Sequence, residues 1–122
     1  MMPKYEEAIE LEWDTKPPDR PKIVCLCGSV RFKAQFEEVY KRETEAGHIV
    51  LAPGSYDKAT ISTELKIRLD LLHMRKIDLC DEVIVINVNG YVGESTTREI
   101  DYAQRTWKEV KFLYQPPFEA QK

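Results

Sequence analysis

The sequence predicts an α/β sandwich, a parallel sheet of four to five strands between layers of helices, and three observations carry that expectation. The runs Ile23-Val24-Cys25-Leu26-Cys27 and Val83-Ile84-Val85-Ile86 are continuously apolar and of strand length, as strands buried on both faces require. Segments with apolar residues at helical spacing lie between such runs. The two patterns alternate along the chain, which suits parallel neighbours joined by helical crossovers. With 122 residues, 43% of them hydrophobic, the chain matches one domain with an ordinary core.

Residues 1–22 read as an N-terminal arm and a proline-rich linker, with Ala8-Ile9-Glu10-Leu11-Glu12-Trp13 ahead of Pro17-Pro18-Asp19-Arg20-Pro21. The domain proper spans 23–114. Its first strand, from Ile23 to Cys27, stops at Gly28. Phe32, Phe36, Val39 and Tyr40 then mark a helix that begins after Ser29 and stops at Gly47. Ile49-Val50-Leu51-Ala52 is a short second strand closed by Pro53-Gly54, and Gly54 to Thr60 reads as a mobile loop. Leu65, Leu69 and Leu72 place a helix from Ser62 towards Cys80. Val83 to Ile86 form the third strand; Ile100, Ala103 and Trp107 trace the next helix stripe; Val110-Lys111-Phe112-Leu113 is the last strand. Pro116-Pro117 ends regular structure and leaves 115–122 as a tail. In the order 2-1-3-4(-5) these strands make a three-layer flavodoxin-like or Rossmann-like sandwich, whose ligands bind at the carboxyl ends of strands one and three.

Composition excludes several function classes. The net charge is −3, with 18 basic and 21 acidic residues intermixed, so no basic stripe exists for a nucleic-acid polymer. No apolar run reaches the ~18 residues of a membrane span, and the start lacks a signal-peptide core, so a cytoplasmic protein with no membrane partner is expected. Cys25 and Cys27, two apart on a strand, point to the same face and do not easily bridge each other. With only His48 and His73 available and no Cys-x-x-Cys pair, they read as buried reduced thiols; neither metal nor cofactor is expected.

Two polar, glycine-bearing loops should face each other across the crevice. The first, Cys27-Gly28-Ser29-Val30-Arg31, leads a strand into a helix, where free N–H groups attract an anion. Either Ser29 merely caps that helix and Arg31 is solvated, or an anionic ligand such as phosphate compensates a cation in the first turn. The second runs from Asn87 through Asn89, Gly90, Tyr91 and Gly93 to Ser95 and Thr96. Tyr91 either stacks on a base or packs over its own loop. Glu99 follows Thr96 at capping-box spacing, yet in the first turn of a helix opening into the crevice it would also be an ionised, usable nucleophile.

Cys27-Gly28-Ser29-Val30-Arg31 after the first strand, Asp81 before the third, and Gly93-Glu94-Ser95-Thr96-Thr97-Arg98-Glu99 followed by Ala103 resemble the nucleoside 2-deoxyribosyltransferase superfamily over about residues 23–114. That superfamily includes 2'-deoxynucleoside 5'-monophosphate N-glycosidases, whose first loop has a similar Gly-Ser-x-Arg pattern that helps hold the 5'-phosphate. The resemblance implies a nucleoside or nucleotide substrate, Glu99 as nucleophile at sugar C1', and a homo-oligomer. Cys27, Gly28, Ser29, Arg31, Asn89, Tyr91, Gly93, Ser95 and Thr96 are the candidate substrate-binding residues. Counted back from Asp81, the family's catalytic aspartate falls on His73, with Asp70 and Asp78 about one turn to either side. His73 and Asp78 are therefore the candidates to assist Glu99, and the departure admits a nucleotide-binding module without turnover.

Overall fold

The computed structural model describes residues 4–14, 20–54 and 59–118. Within them the order is α1 (Tyr5–Asp14), β1 (Ile23–Gly28), α2 (Lys33–Glu45), β2 (Ile49–Leu51), α3 (Thr63–Leu79), β3 (Glu82–Ile86), α4 (Glu94–Arg105) and β4 (Glu109–Phe112), with a 3₁₀ turn at Val88–Gly90. The expected loop from Gly54 to Thr60 and the Pro17-Pro18-Asp19 linker lie largely outside the described residues, as does the side chain of Trp13.

All four strands are parallel, in the order β2-β1-β3-β4, and helices cover both sides in a flavodoxin-like fold. Period-two alternation sorts the strand residues between the two layers. Val24, Leu26, Ile84 and Ile86 pack with Val39 of α2 on one face. Cys25, Cys27, Val83 and Val85 meet Ile77 of α3 and Ala103 of α4 on the other. Both inner strands are thus apolar throughout, which is why they were the easiest elements to read.

Where β1 and β3 end side by side, Gly28 pairs with Ile86. A Cβ at position 28 would lie 2.9 Å from the Ile86 carbonyl oxygen, so only glycine permits this approach. The chain leaves β1 towards β2 and leaves β3 towards β4, and the divergence opens a crevice at their carboxyl ends.

Three helix boundaries depart from the sequence expectation. α2 starts at Lys33 with Phe32 at the cap position and no side-chain cap, so Ser29 does not cap it. Instead the Ser29 carbonyl accepts a 3.1 Å hydrogen bond from the Phe32 amide, and the intervening turn keeps Arg31 outside the helix. α4 starts at Glu94 behind Gly93, three residues before Thr97, so the Thr96 to Glu99 capping box does not form. Trp107 lies beyond the end of α4 in a left-handed conformation (φ 62°) and is exposed, not part of the buried stripe. Tyr40 and Leu72 are likewise exposed, because the buried faces of their helices centre on Val39 and on His73 with Ile77.

Candidate active site

A cleft of about 410 Å³ occupies the crevice, bounded by the Gly28-Ser29-Val30 turn, Pro53-Gly54, α3, and the start of α4. α3 is anchored where it approaches the cleft: the Ser62 hydroxyl oxygen accepts from the Leu65 amide at 3.1 Å, an ordinary N-cap. From there Lys66, Asp70 and His73 descend one helical stripe, each about a turn deeper. α4 enters opposite, and the first N–H groups of a helix have no acceptor of their own, so residues 94–96 offer donors to the cleft.

Glu99 lies at the bottom. It is the sixth residue of α4, not in its first turn, and 9% exposed. Its Oε2 is 3.7 Å from His73 Nε2, too long for a hydrogen bond, and has no hydrogen-bond partner among the described residues. Burial raises the pKa of the Glu99 carboxyl, and the nearby His73 opposes that shift without cancelling it. The expectation of helix-terminus donors holding it ionised is therefore corrected: desolvation dominates.

His73, 5% exposed, is the deepest residue of the α3 stripe. Burial alone would lower its pKa; the hydrogen bond and charge of Cys25 with the charge of Glu99 outweigh burial and raise it. Its Nε2 lies 3.3 Å from Cys27 Sγ and 3.8 Å from Cys25 Sγ. Cys25 is brought down to about 6, first by its hydrogen bond with Cys27, while Cys27 is pushed well up by the same partner and by burial. Both thiols are free, as the sequence predicts, and together with His73 they form a compact donor cluster that sequence spacing did not reveal.

Gly28, Ser29, Tyr91, Gly93, Ser95, Thr96, His73 and Glu99 all line the cleft, so the two loops do meet across it. Four candidates fall elsewhere. Asp78 is on the outer side of α3, accepting a short hydrogen bond from the Tyr102 hydroxyl and pairing with Arg75, because it lies more than a turn beyond His73. Asp70, one turn earlier, is the carboxylate that reaches the cleft. Asn89 is exposed on the 3₁₀ turn (φ 51°), and Cys27 lies beneath the floor. The Arg31 guanidinium sits 4.0 Å from the centre of the Tyr91 ring and is not among the lining groups. One face of Tyr91 therefore carries a cation, and its edge meets Phe32 at 79°.

Sequence reasoning missed the basic lining, namely Lys66, Lys76 and Arg98. The 66-70-73-77 stripe was the signal that could have found the first, since its spacing places Lys66 and Asp70 above His73. Lys76 donates to the Ala52 carbonyl at 2.8 Å, and Lys66 pairs with Asp70 at 3.0 Å.

No protein-family model and no curated protein sequence matches the chain. Among solved structures, a 2-desoxiribosyltransferase from Leishmania mexicana superposes with a TM-score of 0.58 at 18% identity, over 75% of this chain and 63% of that one. The two proteins share a fold. This chain spans less than two thirds of that protein's length, and at such identity the likeness carries the architecture alone. No helix among the described residues is long and apolar enough to cross a membrane.

Proposed function

We propose that the protein cleaves or transfers the N-glycosidic bond of a 2'-deoxynucleoside or its 5'-monophosphate through a covalent glycosyl intermediate on Glu99. The observation that carries this reading is the carboxylate itself, nine-tenths buried at the floor of the cleft, with no hydrogen bond to Oε2 and with His73, whose Nδ1 is also unpartnered among the described residues, beside it. A carboxylate oxygen left without a hydrogen bond in that position is free to attack, whereas a structural one would be satisfied. In the proposed step a Glu99 oxygen bonds to sugar C1', the C1'–N bond breaks, and its electron pair leaves with the base. A 2-deoxy sugar reaches the oxocarbenium-like transition state readily because it lacks the electron-withdrawing 2'-hydroxyl. His73, beside Glu99 and on the cleft wall, supplies the proton the departing base needs. Water or a second base then attacks C1' and frees Glu99; water makes the protein a hydrolase, a base makes it a transferase.

The monophosphate branch has its own support: Lys66, Lys76 and Arg98 line the cleft along with Ser29 and the open end of α4, a set suited to an anion. The solved 2-desoxiribosyltransferase with the same fold is consistent with either branch. The reading also takes the protein as a cytoplasmic homo-oligomer, with monomeric mass at micromolar concentration as the result against it. Incubation with deoxynucleosides and their monophosphates, with and without an acceptor base, and chromatography of released or exchanged base, tests the function. Base release that persists unchanged in Glu99→Gln removes the mechanism; tight nucleotide binding without release would make the protein a binding module.

A further inference from the structure

Cys25 and Cys27 have no task in glycosidic chemistry, yet both face the floor of the cleft and both contact His73. The Sγ atoms of the two thiols and a ring nitrogen of His73 all lie within 4.8 Å of one another. From His73 Nε2 the separations are 3.3 Å to Cys27 Sγ, 3.8 Å to Cys25 Sγ and 3.7 Å to Glu99 Oε2. An ion bound at about 2.3 Å to sulfur and about 2.0–2.1 Å to nitrogen and oxygen has tetrahedral edges of roughly 3.3–3.8 Å. The two nitrogen-to-sulfur separations lie within about 0.3 Å of the roughly 3.5 Å edge expected for such a pair. The 3.7 Å gap is too wide for a hydrogen bond, and Glu99 Oε2 has no hydrogen-bond partner among the described residues although Glu99 is nine-tenths buried. Two buried thiols and an imidazole, their ligand atoms all within 4.8 Å of one another, are the signature of a small-cation site, and Glu99 lies beside it.

We propose that Cys25, Cys27 and His73 form a site for a zinc-class divalent ion, and that an ion held there, beside Glu99, draws that carboxylate away from substrate. Two sulfurs and one imidazole select zinc over magnesium or calcium, which take oxygen ligands. Binding takes both sulfurs as thiolates and His73 through a neutral Nε2, so it releases whatever protons these groups still carry. The ion enters through the cleft, since His73 and Glu99 are in its wall and the sulfurs lie behind them. The site stands on the cluster alone; the blocking of catalysis rests on the reading of Glu99 as nucleophile.

The test uses the full reduced chain, stripped with a chelator and titrated with Co²⁺ as a spectroscopic stand-in for zinc. One equivalent should produce sulfur-to-cobalt charge-transfer absorption with intense tetrahedral d–d bands, and Zn²⁺ should displace it. Cys25→Ser and Cys27→Ser should each weaken binding by more than about tenfold, whereas Cys80→Ser should keep the spectrum. If a serine variant does not fold, the unsubstituted chain still decides. Weak octahedral bands or no charge-transfer band at saturating Co²⁺ overturns the site, as does loss of the band in folded Cys80→Ser alone. Zn²⁺ should also stop base release, with chelator restoring it. A cobalt-loaded chain that turns over normally overturns the blocking, and a metal-free chain without turnover counts against the glycosidic reading while the spectrum judges the site separately.

Discussion

Two buried carboxylates stand at opposite ends of the sheet and are treated in opposite ways. Glu82, 2% exposed at the start of β3, has its Oε2 paired with Lys22 at 2.5 Å and Lys111 at 3.2 Å. Burial pushes its pKa up, but the two lysines outweigh burial and lower it. Glu99, 9% exposed at the other end, has His73 as its nearby cationic partner at 3.7 Å, and burial raises its pKa. The amino-terminal end of the sheet therefore spends its charges on one another, and the carboxyl-terminal end leaves one uncompensated. Such a cost is retained where a site needs a reactive group.

The largest expected effect breaks this contrast at the cleft. Glu99→Gln should reduce base release on the order of 10³-fold or more. Its melting temperature should stay level or rise, because the change removes a desolvated charge whose ion pair with His73 does not offset its burial. Activity assays and thermal melts on one preparation check both halves, and a variant that is inactive only because it is unfolded would erase the contrast.

At the other end the pattern should invert. Glu82→Ala strands two ammonium groups and empties a buried volume, at a cost of roughly 2–4 kcal/mol, discounted because Lys22 and Lys111 can turn towards water. Denaturant unfolding measures it, and the folded fraction should keep full turnover. A stability loss below about 0.5 kcal/mol would mean that the paired end is no more structural than the cleft.

Between these poles, Gly28 belongs to both: it ends β1 and walls the cleft. Gly28→Ala should cost about 1–3 kcal/mol, because its Cβ meets the Ile86 carbonyl at 2.9 Å and the Ile86 side chain at 3.0 Å. Unchanged stability would show that β1 and β3 can separate there without penalty.

The sheet was legible because strands buried on both faces must be apolar at every position, and β1 and β3 announce themselves that way. The facing of the two loops followed from strand order. The site was less legible, for particular reasons. Leu65, Leu69 and Leu72 disclosed a helix but not its buried face, because that face turns polar over the cleft, where Lys66, Asp70 and His73 replace apolar residues. Thr96 and Glu99 had capping spacing, yet Gly93 begins the helix one turn sooner, which moves Glu99 from the exposed end to the floor. Arg31 looked like an anion ligand in a helical first turn, and its resting place on the Tyr91 ring depends on a contact sixty residues away that no local pattern encodes. The thiol and imidazole cluster joins residues 46 and 48 positions apart for the same reason.

The smallest expected effect concerns the outermost pair at the amino-terminal end. Asp81 accepts two 2.7 Å hydrogen bonds from Arg20 and one of 2.8 Å from the Ile23 amide, fastening the chain just before β1 to the residue just before β3. Arg20, and then the Ile23 amide, hold its carboxyl well below the usual carboxylate range. A folded pKa below the unfolded one near ~3.9 means the contribution is present above that value and is lost as pH falls through the folded pKa. Asp81→Asn keeps an acceptor for the amide but loses the charge, so its melting temperature should fall slightly at neutral pH. The difference from the unsubstituted chain should shrink as the medium is acidified below the carboxylate range, and added salt should shrink it at neutral pH, since both partners are exposed. A difference that survives both treatments would assign Asp81 to backbone geometry, leaving Glu82 alone as the charge that distinguishes this end of the sheet from the cleft.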